Sequence, residues 1–332
     1  MARGAKQDTN GIDITEAWAA SILPRREPGA HKWSVGGVVV LAGSPQYTGA
    51  AVLCCMSAGR SGAGVVTAAL HRSLVPIVIG LVPEVAVAVL PEGDGASAAK
   101  RAADAIQDRL QKSKAFVVGP GIGDDEGIDA LMSVLFGVAR SRPGIGFAAT
   151  SSGGERSSES VVSASGLPLV IDADGLTWLS KQEQWWELLP AGKAVLTPHV
   201  AEMARLTGKE AEEITADPVG VAREAAATWG QTVVLKGTTT VIATADGAIA
   251  EVDMPLGLAT AGSGDVLCGS IGAFLAQGLS GPDAAMLAAY VGSRAAARLA
   301  ERIGTLGMVA GDMPMAIAEE LGALERMGAD NV

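Results

Sequence analysis

Apolar runs of four to eight residues, rich in Val and Ile, recur along this chain, separated by Ala-rich stretches of helical period. A run without apolar and polar alternation is a strand covered on both faces, and an interval long enough for a helix lets successive strands lie parallel. The runs predict strands at Gly37–Ala42, Gly64–Ala69, Ala115–Gly119, Leu169–Asp172, Ala194–Thr197 and Thr232–Lys236. Helices are expected near Gly49–Gly62, Ser97–Lys112, Glu126–Ala139, His199–Thr207, Pro218–Trp229, Gly264–Gly278, Asp283–Arg302 and Asp312–Met327. Late in the chain, Thr239–Thr244 and Ala248–Asp253 flank Ala245-Asp246-Gly247, and Asp-Gly between two β-rich runs signals a hairpin. The expected fold is α/β, a mostly parallel central sheet with helices on both faces and a late β-hairpin.

The segment Arg140–Gly166 is rich in Ser and Gly and has no sustained period, so it reads as a surface insertion. No linker divides the elements, which predicts an N-terminal tail over residues 1–30 and one domain over 31–330. The most apolar stretch, Leu74–Leu90, is broken by Pro76, Pro83 and Glu84 and makes a poor membrane span.

Composition narrows the possible functions. With 48% hydrophobic residues, 43 glycines and 4% aromatics, the core must be built from small aliphatic side chains. A net charge of −11 argues against sequence-independent binding to nucleic acid or to an anionic membrane. Cys54, Cys55 and Cys268 sit in apolar runs without metal-ligand spacing and read as free buried thiols, which favours a reducing, cytoplasmic compartment. The opening MARGAKQDTNGID has no apolar core of a secretory signal.

In open parallel sheets, ligands lie beyond the carboxyl ends of the strands. Here those junctions read AGSPQYTGAA (Ala42–Ala51), GPGIG (Gly119–Gly123), DADGL (Asp172–Leu176), TPHVAE (Thr197–Glu202) and KGTTT (Lys236–Thr240). A later stretch, TAGSGDVLCGSIG (Thr260–Gly272), places glycines ahead of an apolar helix. Free backbone amides at Gly262, Ser263 and Gly264, with the field of a helix start, make an anion hole for a transferring phosphate. Asp265 falls in the first helical turn, where that field favours its ionised form, and can accept the proton of an attacking hydroxyl; as an alternative, it merely caps the helix.

The other junctions carry weaker signals. Lys236, Gly237, Thr238, Thr239 and Thr240 offer one cation with hydroxyl and amide donors suited to a nucleotide phosphate, although no Walker motif is present. Thr197 can cap and Pro198 can open a helix that carries His199 at its start, facing the crevice. His31 and His71 read as surface residues. Asp172 and Asp174 could hold a hard cation or cap the next helix. Gly121 lies in a loop that could approach a ligand closely or simply turn.

The order and wording of these junctions resemble the ADP- or ATP-dependent NAD(P)H-hydrate dehydratase family of the ribokinase-like superfamily. The resemblance runs from His31–Leu70 through VVGPGIG, PLVIDADGL, AVLTPHVAEMARL, TVVLKGTTTVIATADG and ATAGSGDVLCGSIGAFLAQGL to Thr305–Pro314. It implies repair of hydrated NADH or NADPH: a nucleotide phosphorylates the ring hydroxyl with magnesium, and loss of phosphate restores the nicotinamide. Asp265 would be the base and touch the hydrate, with Ala50, Gly121 and His199 lining its site. Lys236–Thr240 and Gly264 would bind the adenine nucleotide. The resemblance also implies a homo-oligomer, a tetramer, and a separate NAD(P)H-hydrate epimerase as functional partner. Two departures stand out: Ser263 occupies a place where the family commonly has Thr, and AAYVGSRAA (Ala288–Ala296) replaces a frequent Leu-His-Gly. The alternatives are a small-molecule kinase of the same superfamily and a non-catalytic nucleotide sensor. An oxidoreductase is disfavoured because the first junction lacks Gly-x-Gly-x-x-Gly spacing.

Overall fold

The computed structural model describes residues 11–93, 95–138 and 160–329. Its strands are β1 (Gly11–Ile12), β2 (Gly37–Leu41), β3 (Val65–His71), β4 (Ala86–Leu90), β5 (Ala115–Val118), β6 (Leu169–Ile171), β7 (Ala194–Leu196), β8 (Thr232–Leu235), β9 (Thr239–Ala243) and β10 (Ile249–Asp253). The helices of the first half are α1 (Glu16–Ile22), α2 (Lys32–Val35), α3 (Thr48–Arg60), α4 (Val75–Leu81), α5 (Gly95–Leu110), α6 (Glu126–Phe136) and α7 (Val161–Ser165). Those of the second half are α8 (Asp174–Leu179), α9 (Val200–Thr207), α10 (Ala211–Ala216), α11 (Pro218–Trp229), α12 (Ser263–Ala276), α13 (Gly281–Ile303) and α14 (Met313–Ala329).

One sheet joins the strands in the order β1-β10-β9-β8-β7-β6-β5-β2-β3-β4. From β8 to β4 every neighbour pairs parallel, while β8-β9 and β9-β10 are antiparallel. The hairpin expected at Ala245–Gly247 is the β9-β10 turn.

The two faces explain the unbroken apolar runs. In β2, Val38 and Val40 enter one core with α3, α12, α13 and α14, while Val39 and Leu41 enter the opposite core with α5, α6, α8, α9 and α11. Small residues let α12 lie close on both neighbours. A Cβ at Gly269 would stand 2.2 Å from the Cys54 carbonyl of α3, and one at Gly272 would stand 2.3 Å from Val117 Cγ2 on β5. Buried hydroxyls lock the α3-α12 pair: Ser57 Oγ donates to Val266 O at 2.7 Å, and Ser61 Oγ donates to Ser270 Oγ at 2.9 Å. The three cysteines are free and buried.

Residues ahead of His31 contribute structure: β1 pairs with β10, and α1 lies against α14. Of the expected insertion, residues 140–159 lie outside the described residues. The remainder includes α7, whose start Ser160 caps by accepting the Ser163 N–H, with Val161 and Val162 buried. Leu74–Leu90 divides at Pro83 into α4 and the edge strand β4, an element that the broken apolar run hid. No helix among the described residues is long and apolar enough to cross a membrane.

Candidate active site

After β2 the chain builds β3 and β4 to one side, then returns to place β5 on the other, so the strand order reverses between β2 and β5. The loops beyond these two carboxyl ends are tied together, with Gly43 N–H donating to Pro120 O at 2.7 Å. Gly121 holds φ +62°, and a Cβ there would lie 2.8 Å from both the Tyr47 and Ala50 Cβ atoms. Ala50, in the first turn of α3, is therefore packed directly against Gly121 beyond the carboxyl ends of β2 and β5.

The start of α12 faces the same carboxyl ends. Its cap, Gly262, holds φ +91°, and a Cβ there would stand 2.5 Å from Leu53 Cδ1. No side chain caps this helix. Ser263 N–H reaches Thr260 O at 3.4 Å and Val266 N–H reaches Gly262 O at 3.2 Å, but among the described residues nothing accepts from the N–H groups of Gly264 and Asp265. Two unpaired amides at a helix start can hold an anion, but they are those of Gly264 and Asp265, whereas the cradle was expected from Gly262, Ser263 and Gly264 and the Ser263 N–H is turned to Thr260 O.

Asp265 behaves otherwise than its place at a helix start suggests. Burial, with Asp172 adding to it, pushes its carboxyl up to about 7, and Lys236 only partly opposes them. Desolvation outweighs the favourable helix field, so near neutral pH the group exchanges its proton readily, as a general base requires.

Lys236 is the hub of a buried ion network. Its Nζ lies 2.7 Å from Asp172 Oδ1 and 3.8 Å from Glu202 Oε2. Burial alone would push the ammonium down, but Asp172 and Glu202 together shift it upward. A Cβ at Gly264 would stand 3.4 Å from Lys236 Nζ and 3.5 Å from Asp172 Oδ2, so the pair sits against the mouth of α12. The backbone N–H of Lys236 donates to Pro198 O at 2.8 Å, which ties the ends of β7 and β8.

His199 itself caps α9, in place of the expected Thr197. Its Nδ1 accepts from Ala201 N–H at 3.1 Å and Glu202 N–H at 3.3 Å, while Glu202 Oε2 accepts from His199 N–H at 2.8 Å. With Nδ1 used as acceptor, the neutral ring carries its proton on Nε2. Thr197 is buried, its hydroxyl 3.4 Å from Ile171 O. The strand ends at Ile171, so the alternation that would align Asp172 and Asp174 does not continue, and the two take different partners although both charges act on Asp265. Ala173 between them holds φ +49°, and Asp174 Oδ2 accepts from Gly123 N–H at 2.8 Å. Among the described residues no group of three or more His, Cys, Asp or Glu is arranged to hold a metal ion.

Beside the cradle opens a cavity of about 280 Å³, lined at its polar end by Lys236, Gly237, Thr238, Thr240, Ser263 and Gly264. Met254, Leu258, Leu267, Ala288, Met313 and Ile317 line its apolar depth. Thr239 is not in the lining; its hydroxyl donates to Asp253 Oδ1 at 2.7 Å across the hairpin.

Residues 38–319 match the model of a family described as NAD(P)H-hydrate dehydratase. The chain belongs to that family. Among its relatives, the ADP-dependent (S)-NAD(P)H-hydrate dehydratase of Neisseria meningitidis is 34% identical over 296 residues, 88% of this chain and 87% of the relative. The bifunctional NAD(P)H-hydrate repair enzyme Nnr of Moorella thermoacetica is 36% identical over 93% of this chain but only 53% of its own length. The chain thus spans about half the length of the bifunctional relatives it matches. The same fold occurs in the ADP/ATP-dependent NAD(P)H-hydrate dehydratase of Bacillus subtilis, co-crystallised with ATP/Mg2+ (TM-score 0.71, 24% identity, 95% of this chain and 97% of that one). It also occurs in a ribokinase-like superfamily protein of Enterococcus faecalis (TM-score 0.76, 20% identity, 97% and 99%). The ribokinase-like α/β fold expected from the dehydratase motifs is therefore the one observed.

The structure gathers the expected residues at one end of the sheet: Ala50 with Gly121, Asp265 with the amides of α12, and Lys236 with the cavity mouth. Two features of this dehydratase-family site were missed in the sequence. Glu202 was legible as the third residue of a capping box after His199. The apolar cavity floor, drawn from Met254–Leu258, α13 and α14, had no local signal because distant segments build it.

Proposed function

We propose that this chain dehydrates hydrated NADH or NADPH at the expense of ADP or ATP, through a phosphorylated intermediate. The observation that carries the reading is the pairing of Asp265, its carboxyl pushed up to about 7, with two unpaired amides at the start of α12. Asp265 takes the proton of the substrate hydroxyl as its oxygen attacks the terminal phosphorus of the nucleotide. The bond from that phosphorus to the leaving nucleotide oxygen breaks, and the amides of Gly264 and Asp265 hold the transferring group. Loss of this phosphate, with a proton from the neighbouring ring carbon, restores the nicotinamide double bond.

Ala50, Gly121 and His199 form the hydrate side of the site, with His199 Nε2 lying 3.4 Å from Glu202 Oε1. Lys236, Gly237, Thr238, Thr240 and Gly264 receive the nucleotide, and Thr239 supports them from the hairpin. We propose Mg2+ as a cation carried in on the nucleotide's phosphates, as the ATP/Mg2+ co-crystallised Bacillus subtilis enzyme supports. Mg2+ arriving with the nucleotide would neutralise phosphate charge, while Lys236, held by Asp172 and Glu202, would supply the protein's own positive charge at the site. The (S) in the Neisseria relative's name supports use of one epimer, with an epimerase supplying it. We further propose a single domain and a homo-oligomer; the free buried thiols agree with a cytoplasmic setting.

The test is to incubate the protein with hydrated NADH, Mg2+ and each nucleotide and to follow the near-ultraviolet absorbance of the reduced nicotinamide. Recovery with ADP or ATP supports the proposal. A stable phosphorylated product without recovery would make the chain a kinase, and no reaction with either nucleotide would refute the proposal.

A further inference from the structure

Aromatic residues make up 4% of this chain, and it has two tyrosines. Tyr47 is nonetheless 62% exposed, at the β2-β5 reversal beside the crevice. An exposed ring forgoes the stabilisation that burial would give it. It does not serve α3 either, because it stands at that helix's cap position without a side-chain hydrogen bond to the helix.

Its root, by contrast, is held firmly. The Tyr47 N–H donates to Ser44 O at 3.0 Å, and Tyr47 O accepts from Ala50 N–H at 3.1 Å. Gly121 approaches so closely that any side chain there would collide with the Tyr47 Cβ. The backbone of one turn, Ser44–Tyr47, is thus fixed against the loop after β5 while the ring stays in solvent.

A second observation comes from the same turn. Ser44 is 8% exposed, and its hydroxyl has no hydrogen-bond partner. Its carbonyl is well used, accepting from Tyr47 N–H and from Thr48 Oγ1 at 3.3 Å. A buried hydroxyl left unpaired is costly, and such groups mark places where a ligand or a water completes the structure.

Resting on the function proposed above, we propose that Ser44 and Tyr47 form the docking turn for the nicotinamide half of the substrate. The Tyr47 ring packs against the face of the hydrated ring, and a change of the Ser44 rotamer turns its hydroxyl, buried and unpaired without substrate, towards one of the polar groups of the substrate. Ala50 and Gly121, already placed on the hydrate side, adjoin this turn, whereas the nucleotide cavity is lined by other elements.

Steady-state kinetics on Tyr47→Ala, Tyr47→Phe and Ser44→Ala test the inference, with each substrate varied in turn. Tyr47→Ala is expected to raise KM for the hydrate on the order of tenfold while KM for the nucleotide stays unchanged. Tyr47→Phe keeps the ring and is expected to behave as the unmodified protein, and Ser44→Ala should raise the hydrate KM alone. An unchanged hydrate KM in Tyr47→Ala, or an equal rise in both KM values, would overturn the inference while leaving the proposed function standing. No turnover by the unmodified protein would remove both.

Discussion

Replacing Asp265 by Asn separates the energetic cost of the base from its use. Burial and Asp172 move the carboxyl from an ordinary 3.8 up to about 7 in the folded protein. In the unfolded chain the same group titrates near its ordinary value. Between about pH 4 and pH 7 the folded protein therefore holds a proton that the unfolded chain has released, and stability falls as pH rises through this window. Above it, the ionised carboxylate costs the folded state roughly 4 kcal/mol, an upper figure because Asp265 is only partly shielded from water. Asn fills the same space without a charge to desolvate. Asp265→Asn is expected to abolish turnover and yet resist urea better than the unmodified protein at about pH 8, by up to ~4 kcal/mol, with the advantage shrinking towards about pH 4. Urea unfolding followed by tryptophan fluorescence at several pH values measures this directly. A variant no more stable at high pH, or one offset by the same amount at every pH, would refute the reasoning.

Three further predictions follow from the same geometry. The turnover rate should fall as pH drops below about 7, because protonated Asp265 cannot accept a proton; Asp172→Asn removes the adjacent like charge and should move this acid limb to lower pH, readable in kcat/KM profiles. Gly262→Ala forces a Cβ onto Leu53 at a φ of +91° and should destabilise by about 2 kcal/mol or more, seen in urea midpoints, while raising KM for the nucleotide. Glu320 on α14 is fully buried, with Arg294 Nε 3.4 Å from Oε1 and Arg298 Nε 2.7 Å from Oε2, the latter off-line for a hydrogen bond. Glu320→Ala unties α14 from α13 and should cost about 2–3 kcal/mol, less than a fully buried pair because both arginines are half exposed, and weaken nucleotide binding through Met313 and Ile317.

Much of the fold was legible because local and global signals agree. The runs at Val38–Leu41, Ala115–Val118 and Leu169–Ile171 are apolar at every position, and the structure covers both their faces. The late hairpin rested on Asp246-Gly247, where turn chemistry is local. Elements that depend on partners were not legible. Gly11–Ile12 forms β1 only because β10 lies beside it, and α8 begins at Asp174 after a strained Ala173 that no pattern announces. At the site, residue types were readable but their relations were not. Lys236 and Asp172 looked like separate phosphate and metal candidates, yet they bind one another across 64 positions of sequence. The protonation of Asp265 was misread for the same reason: its helix field is local, while the burial and the Asp172 charge that outweigh it come from tertiary packing.

The central claim is that phosphoryl transfer guided by Asp265 drives the dehydration, and phosphate stoichiometry tests it most directly. With hydrated NADH, Mg2+ and the preferred nucleotide, inorganic phosphate and NADH should appear in equal amounts, each matched by one nucleotide shortened by a phosphate, and Asp265→Asn should give none of them. NADH formed without nucleotide consumption, or at an undiminished rate in Asp265→Asn, would contradict the account.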